Sequence, residues 1–103
     1  MRLGRKRFAD VVERQLDLFA EDESELLEEA KEKDAAWTSA PREESEELYG
    51  DYQLVVDAVA DRLAEIRDHY AAALDESTAE EYRAAFTGAA TKRFGRFASA
   101  LAD

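Results

Sequence analysis

The chain has 103 residues, with 25 acidic against 14 basic side chains, a formal net charge of −11 and no cysteine. Its length suits one domain, its acidity argues against general binding to nucleic acids or anionic membranes, and the lack of cysteine excludes disulfides and thiolate metal sites. No apolar run approaches the ~20 residues that span a bilayer, and no signal peptide is evident. We therefore expect a single cytoplasmic domain over residues 1–103 with no membrane partner.

The first predicted element is a helix over residues 5–37. Apolar residues fall there at helical spacing, on a stripe made of Phe8, Val12, Leu16, Phe19, Leu26, Ala30 and Trp37. Acids crowd between Ala20 and Glu25, and Asp22 with Glu25 fits a capping box for a new helix. One helix is the favoured interpretation, and two helices broken near Asp22 are the alternative.

The clearest loop follows, because Ser39 suits a helix cap and Pro41 suits the first turn of the next helix. A second helix is predicted over residues 42–74, with the stripe Leu48, Tyr52, Val55, Val59, Leu63, Ile66, Tyr70 and Ala73. Two long helices joined by a short loop are antiparallel neighbours. Residues 5–74 are thus predicted to form a long helical hairpin.

The last predicted helix covers residues 79–101, after a loop in which Ser77 or Thr78 can open a capping box. Its apolar stripe is Tyr82, Phe86, Ala90, Phe94, Phe97 and Leu101. The predicted fold is all-α, an antiparallel three-helix bundle, or four helices if the first stretch breaks near Asp22. At ~34 Å against ~50 Å for the hairpin, the last helix is expected to leave the far end of the hairpin uncovered.

The uncovered end of the hairpin gives the main functional hypothesis. Its apolar residues are Leu26, Leu27, Trp37, Leu48, Tyr49 and Tyr52. Exposed apolar patches mark interfaces, and Trp and Tyr are typical anchors there. We expect a non-enzymatic interaction protein (an adaptor, a regulator or a subunit of an assembly) that buries this patch against itself or a larger protein. The alternative is that Trp37 folds back as a cap on the hairpin.

Basic residues at the two ends give the second hypothesis, a nucleic-acid accessory protein. Residues 5–8 and 92–97 interleave cations with phenylalanines, a combination that can stack on bases and neutralise phosphates. The phenylalanines also fall on apolar helix stripes, however, and residues 21–34 hold eight acids against two lysines. We therefore expect no useful affinity for nucleic acid at physiological salt.

Two charges inside the apolar stripes predict an ion pair. Glu23 falls between Phe19 and Leu26, and Arg93 falls among the apolar residues of the last helix. Because a lone buried charge is costly, we expect Arg93, helped by Arg96, to pair with Glu23 and to fix the register of the last helix. Asp57 is expected to lie level with Arg96. The alternative is that the side chains of Glu23 and Arg93 do not pair and instead extend past the apolar stripe into water.

No residues point to catalysis or to a cofactor. Asp61, Glu65 and His69 are spaced by one helical turn each, as metal ligands can be. The two acids point away from the apolar stripe, however, so a solvated face is the favoured interpretation. The sequence also has no glycine-rich phosphate loop. We expect no catalytic residue, no metal site and no cofactor.

Overall fold

The computed structural model describes residues 7–102. This part of the chain contains no strand and holds four α-helices followed by a 3₁₀ helix. They are α1 (Ala9–Asp22), α2 (Ser24–Thr38), α3 (Arg42–Ala71), α4 (Glu76–Phe94) and the C-terminal 3₁₀ helix (Gly95–Ala102). The all-α class is confirmed. Residues 5 and 6, where the first helix was predicted to begin, lie outside the described residues.

The first predicted helix is divided at Glu23. Its backbone has φ −111° and ψ 32°, and no side chain caps the start of α2, so the predicted Asp22 capping box is wrong. Helical hydrogen bonding nevertheless crosses the division. The amide of Glu23 donates to the carbonyl of Phe19 at 2.8 Å. The amide of Leu27 donates to the carbonyl of Glu23 at 3.0 Å. The helical dihedral angles are therefore interrupted at Glu23 alone, while the helical hydrogen bonds continue on both sides of it.

The loop between α2 and α3 is where the sequence predicts it, but Ser39 has another role. Its hydroxyl donates to the carbonyl of Ala35 at 2.7 Å, so it satisfies an acceptor at the end of α2 instead of capping α3. Pro41 precedes α3 with an extended backbone. The short turn brings α2 back along α3, and these two helices pack together.

Helix α4 begins earlier and ends earlier than predicted. The Asp75 carboxylate accepts a hydrogen bond from the amide of Thr78 at 2.8 Å, so Asp75 is the N-cap and the predicted caps at Ser77 and Thr78 are wrong. At the other end, Gly95 has φ 60°, a conformation that glycine adopts without steric cost. The α-helix stops there, and the 3₁₀ helix turns to pack against α3 and α4.

The principal core lies between α1, α3, α4 and the 3₁₀ helix, and we call it the main core. Its buried residues are Phe8, Val12, Leu16, Phe19, Val59, Leu63, Ala71, Ala79, Tyr82, Phe86, Ala90, Ala98 and Leu101. The ring of Phe8 meets Tyr82 edge-on at 5.4 Å between centroids, and Phe19 meets Phe94 in the same way. The apolar stripes predicted from helical spacing supply most of these residues.

The molecule is elongated, with extents of 51 × 25 × 24 Å. Within residues 7–102, none of the helices combines the length and apolar character needed to cross a membrane.

Candidate protein-interaction site

Four aromatic rings meet where α2 turns into α3, and we call them the aromatic cluster: Trp37, Tyr49, Tyr52 and Phe97. The Trp37 ring stacks on Tyr52 at 5.5 Å and 16°, and lies 4.9 Å from the ring of Tyr49. Phe97 reaches Tyr52 from the 3₁₀ helix at 6.4 Å. The cluster therefore joins three elements at one place.

The cluster is buried at its base and open at its edge. Tyr52 is only 6% exposed, whereas Tyr49 is 43% exposed and Trp37 is half-buried. Burial raises the pKa of the Tyr52 hydroxyl above its usual value. The Tyr49 hydroxyl donates to Oε1 of Gln53 at 3.0 Å, which orients the exposed ring along α3. The Tyr49 ring and one edge of Trp37 thus form an aromatic surface that faces solvent.

The six predicted interface residues divide into two groups. Trp37, Tyr49 and Tyr52 come together in the aromatic cluster, and Leu48 is half-buried. Leu26 and Leu27 instead pack against the main core. The sequence prediction that the last helix leaves this end of the hairpin uncovered needs correction, because Gly95 redirects the chain and the 3₁₀ helix brings Phe97 onto Tyr52.

An ion pair that the sequence analysis missed ties the 3₁₀ helix to α2 beside the aromatic cluster. One guanidinium nitrogen of Arg96 donates to both carboxylate oxygens of Asp34. This hydrogen bonding raises the pKa of Arg96. Asp34 lies three residues before Trp37, so the two share one side of α2. This spacing is the one feature of the sequence that sets Asp34 apart, because acids are abundant throughout residues 21–34.

The predicted pairing of Arg93 with Glu23 is wrong. Arg93 donates to Asp17 at 2.6 Å, and Asp57, expected near Arg96, accepts instead from the amide of Gln53 at 3.0 Å. The reason is that Arg93 and Glu23 lie on different sides of α1. Arg93 borders a cavity between α1 and α4, whereas Glu23 borders one between α1 and α3.

Three cations of the basic ends lie within ion-pair distance of carboxylates. Besides the pairs of Arg93 and Arg96, Arg7 binds Glu81 at 3.3 Å. Phe94 packs against the main core, as its place on the apolar stripe predicts. The remainder of the N-terminal basic cluster, Arg2, Arg5 and Lys6, lies outside the described residues.

A second arginine holds the 3₁₀ helix from the side of the main core. The Arg67 side chain is only 18% exposed. It donates to the hydroxyl of Thr87 at 3.1 Å and to the carbonyl of Leu101 at 3.5 Å. The same guanidinium hydrogen-bonds Asp68 at 2.9 Å and so lowers the pKa of that carboxyl. No local pattern in the sequence singles out Arg67, because Thr87 and Leu101 are 20 and 34 residues away.

The spaced acids of α3 do not form a metal site in the described part of the chain. Asp61, Glu65 and His69 are exposed. Across residues 7–102, no three side chains of histidine, aspartate or glutamate are grouped as metal ligands would be.

Comparison with known proteins found no matching family model, no similar curated sequence and no similar solved structure.

Proposed function

We propose that this chain is a small non-enzymatic interaction protein that acts as an adaptor, a regulator or a subunit of an assembly. Its binding surface would be the aromatic cluster together with Leu48, buried against a second copy or a larger protein. The observation that carries the proposal is the contact between Trp37 and Tyr49, 4.9 Å apart, with Tyr49 43% exposed. We also propose a cytoplasmic location.

The chemistry of the surface supports this function. Trp and Tyr are enriched among the residues that dominate binding energy, because they bury a large area and lose little side-chain entropy. Tyr52 and Phe97 support the exposed rings from behind. The surface is therefore preorganised, which lowers the entropic cost of association.

The scaffold that we propose is an antiparallel three-helix bundle in which α1 and α2 act as one bent helix. The hydrogen bonds that cross Glu23 support this count. In this arrangement α2 and α3 extend as a hairpin that presents the aromatic cluster, while α4 and the 3₁₀ helix brace it.

The same observations favour a protein partner over nucleic acid. The guanidinium groups of Arg7, Arg93 and Arg96 each lie within ion-pair distance of a carboxylate. A phosphate would have to displace those carboxylates and overcome the repulsion of a chain with net charge −11.

The test is whether association depends on Tyr49. Light scattering over a wide concentration range would report self-association, and affinity capture would report other protein partners. Tyr49→Ala should weaken whichever association the wild type shows, with unchanged circular dichroism, because the ring is exposed. Leu54→Ala is the matched control, since Leu54 is 71% exposed on the same helix and lies outside the cluster.

A wild type that is monomeric at every concentration, and that captures the same proteins as Tyr49→Ala, would exclude this function. Micromolar binding to DNA or RNA at physiological salt that is lost in Arg93→Glu would favour the nucleic-acid alternative instead.

A further inference from the structure

A groove lies between α1 and α3. Two adjoining cavities form it, and both are bordered by Gln15, Glu65 and Ile66. Residues 15–23, which are the end of α1 and Glu23, line one side of it, and residues 62–70 of α3 line the other. Each stretch spans eight residue steps, or ~12 Å. The groove is therefore long enough to contact about two turns of a helix.

The wall of the groove is apolar. Leu18 lies on it with 52% of its surface exposed, although it is one of the larger apolar side chains of α1. Phe19 and Ile66 line the same cavity, and Tyr70 lines the adjoining one. Gln15 is held there by the buried Tyr82, whose hydroxyl donates to its Oε1 at 2.8 Å. This hydrogen bond ties the α1 wall of the groove to α4.

The rim of the groove is acidic. A third cavity continues the groove past the division at Glu23 and shares Asp22 and Glu23 with it. The carboxylates along the three cavities number five, against the one guanidinium of Arg62. They belong to Asp22, Glu23, Glu25, Glu29 and Glu65. An apolar wall with a negative rim complements a ligand with an apolar stripe and positive flanks.

We propose that this groove binds a basic amphipathic helix of another protein. The apolar stripe of that helix would pack on Leu18 and Ile66, in the manner of helix-in-groove recognition with anchors at positions i, i+3 or i+4, and i+7. Its lysines and arginines would face the carboxylates of the rim. A second copy of this chain is a poorer occupant, because two chains of net charge −11 repel each other. This surface is separate from the aromatic cluster and does not depend on the function proposed for it.

The experiment uses two labelled synthetic peptides with one leucine stripe, the flanking positions being lysine in one and glutamate in the other. Fluorescence anisotropy should show that the full chain binds the lysine peptide and not the glutamate peptide. Leu18→Ala should weaken this binding by about tenfold, because it removes an apolar contact from the wall. Leu54→Ala, which truncates an exposed leucine elsewhere, should leave the affinity unchanged.

A second pair of variants separates local charge from net charge. Glu65→Lys and Glu80→Lys make the same change in net charge, but Glu80 is an exposed residue of α4 that does not line the groove. Glu65→Lys should weaken binding of the lysine peptide much more than Glu80→Lys does. Equal losses in the two variants, or no loss in Leu18→Ala, would overturn the proposal. A loss of peptide affinity in Tyr49→Ala would also overturn it, because the peptide would then occupy the aromatic cluster. Self-association of the wild type that Leu18→Ala abolishes would overturn it as well, because a second copy would then occupy the groove.

Discussion

The main core and the aromatic cluster stabilise the same chain in different ways. In the main core, Tyr82 and Phe86 are fully buried between helices that approach from several directions. In the aromatic cluster, Trp37 and Tyr49 rest on Tyr52 and keep one edge in solvent. Burial of this kind contributes most where water is fully excluded. The main core is therefore expected to determine stability, and the aromatic cluster to be available for binding.

The comparison also assigns a role to the 3₁₀ helix, which contacts both regions. Ala98 and Leu101 belong to the main core, while Phe97 contacts Tyr52 of the aromatic cluster. A 3₁₀ helix has poorer hydrogen-bond geometry than an α-helix, so side-chain contacts must hold this one in place. The hydrogen bonds from Arg67 to Leu101 and from Arg96 to Asp34 supply such contacts on its two sides.

The largest expected effect tests the main core directly. Phe86→Ala should lower the free energy of unfolding by about 3–5 kcal/mol, because it leaves a cavity among fully buried side chains. Tyr49→Ala, in the aromatic cluster, should lower it by less than about 1 kcal/mol. Urea unfolding followed by circular dichroism measures both values. Similar losses in the two variants would mean that the two regions do not differ as described.

An intermediate effect is expected at the residue that joins the two regions. Gly95 has φ 60°, so Gly95→Ala should lower the free energy of unfolding by about 1–3 kcal/mol through backbone strain. A new Cβ would meet no atom beyond the neighbouring residues of the chain within 4 Å, so a clash with the surrounding side chains is not the cause. Because the 3₁₀ helix carries Phe97, the fluorescence of the single tryptophan, Trp37, should also change.

Gly88→Ala is the control for that variant. Gly88 lies inside α4 and also has open space around it, so alanine there should stabilise the helix by about 0.5–1 kcal/mol and leave the emission of Trp37 unchanged. If Gly95→Ala behaved in the same way, the turn into the 3₁₀ helix would not require glycine.

The smallest effect concerns a charge beside the main core. Asp68 has a lowered pKa because of its hydrogen bond from Arg67. A lowered pKa in the folded state contributes stability above the ordinary value near about pH 4, and this contribution is lost as the pH falls through the folded-state pKa. Asp68→Asn should therefore destabilise the protein at neutral pH and make its stability fall less steeply in acid.

Asp68→Asn should lower the free energy of unfolding by less than about 1 kcal/mol, because half of the Asp68 side chain is exposed. Thermal unfolding between neutral pH and pH ~3 measures it around the ordinary aspartate pKa. Glu65→Gln removes a charge from the same helix without contacting Arg67 and is the reference. Identical pH profiles for the two variants would show that the hydrogen bond to Arg67 does not stabilise the fold.

Local patterns in the sequence predicted much of the fold. Helical spacing of apolar residues located Leu16, Leu63, Tyr82 and Phe86 in the main core, because burial on a helix follows its own period. The loop before Pro41 was also predictable, since proline and acids near a helix start act over only a few residues, whereas the second loop ends at Asp75, before the predicted caps Ser77 and Thr78. The all-α class follows from these local patterns alone.

The end of α4 and the partners of the charges required the tertiary structure. Gly95 follows Lys92 and Arg93, a combination that can end a helix, but the apolar stripe continues through Phe97 and Leu101 and favoured one uninterrupted helix. Arg93 had several acids within reach and bound Asp17, because the side of α1 that faces α4 decides the partner. In a chain with 25 acids, the number of possible partners is too large for sequence spacing to choose among them.

The sequence by itself thus determined the all-α class and most of the apolar helix faces, since both depend on neighbours within about two turns. The tertiary structure alone decided that Phe97 reaches Tyr52, that Arg96 pairs with Asp34, and that a groove lies between α1 and α3. The physical reason is that these contacts join residues far apart in the chain. Their geometry follows from how whole helices pack, which depends on all of the side chains between them.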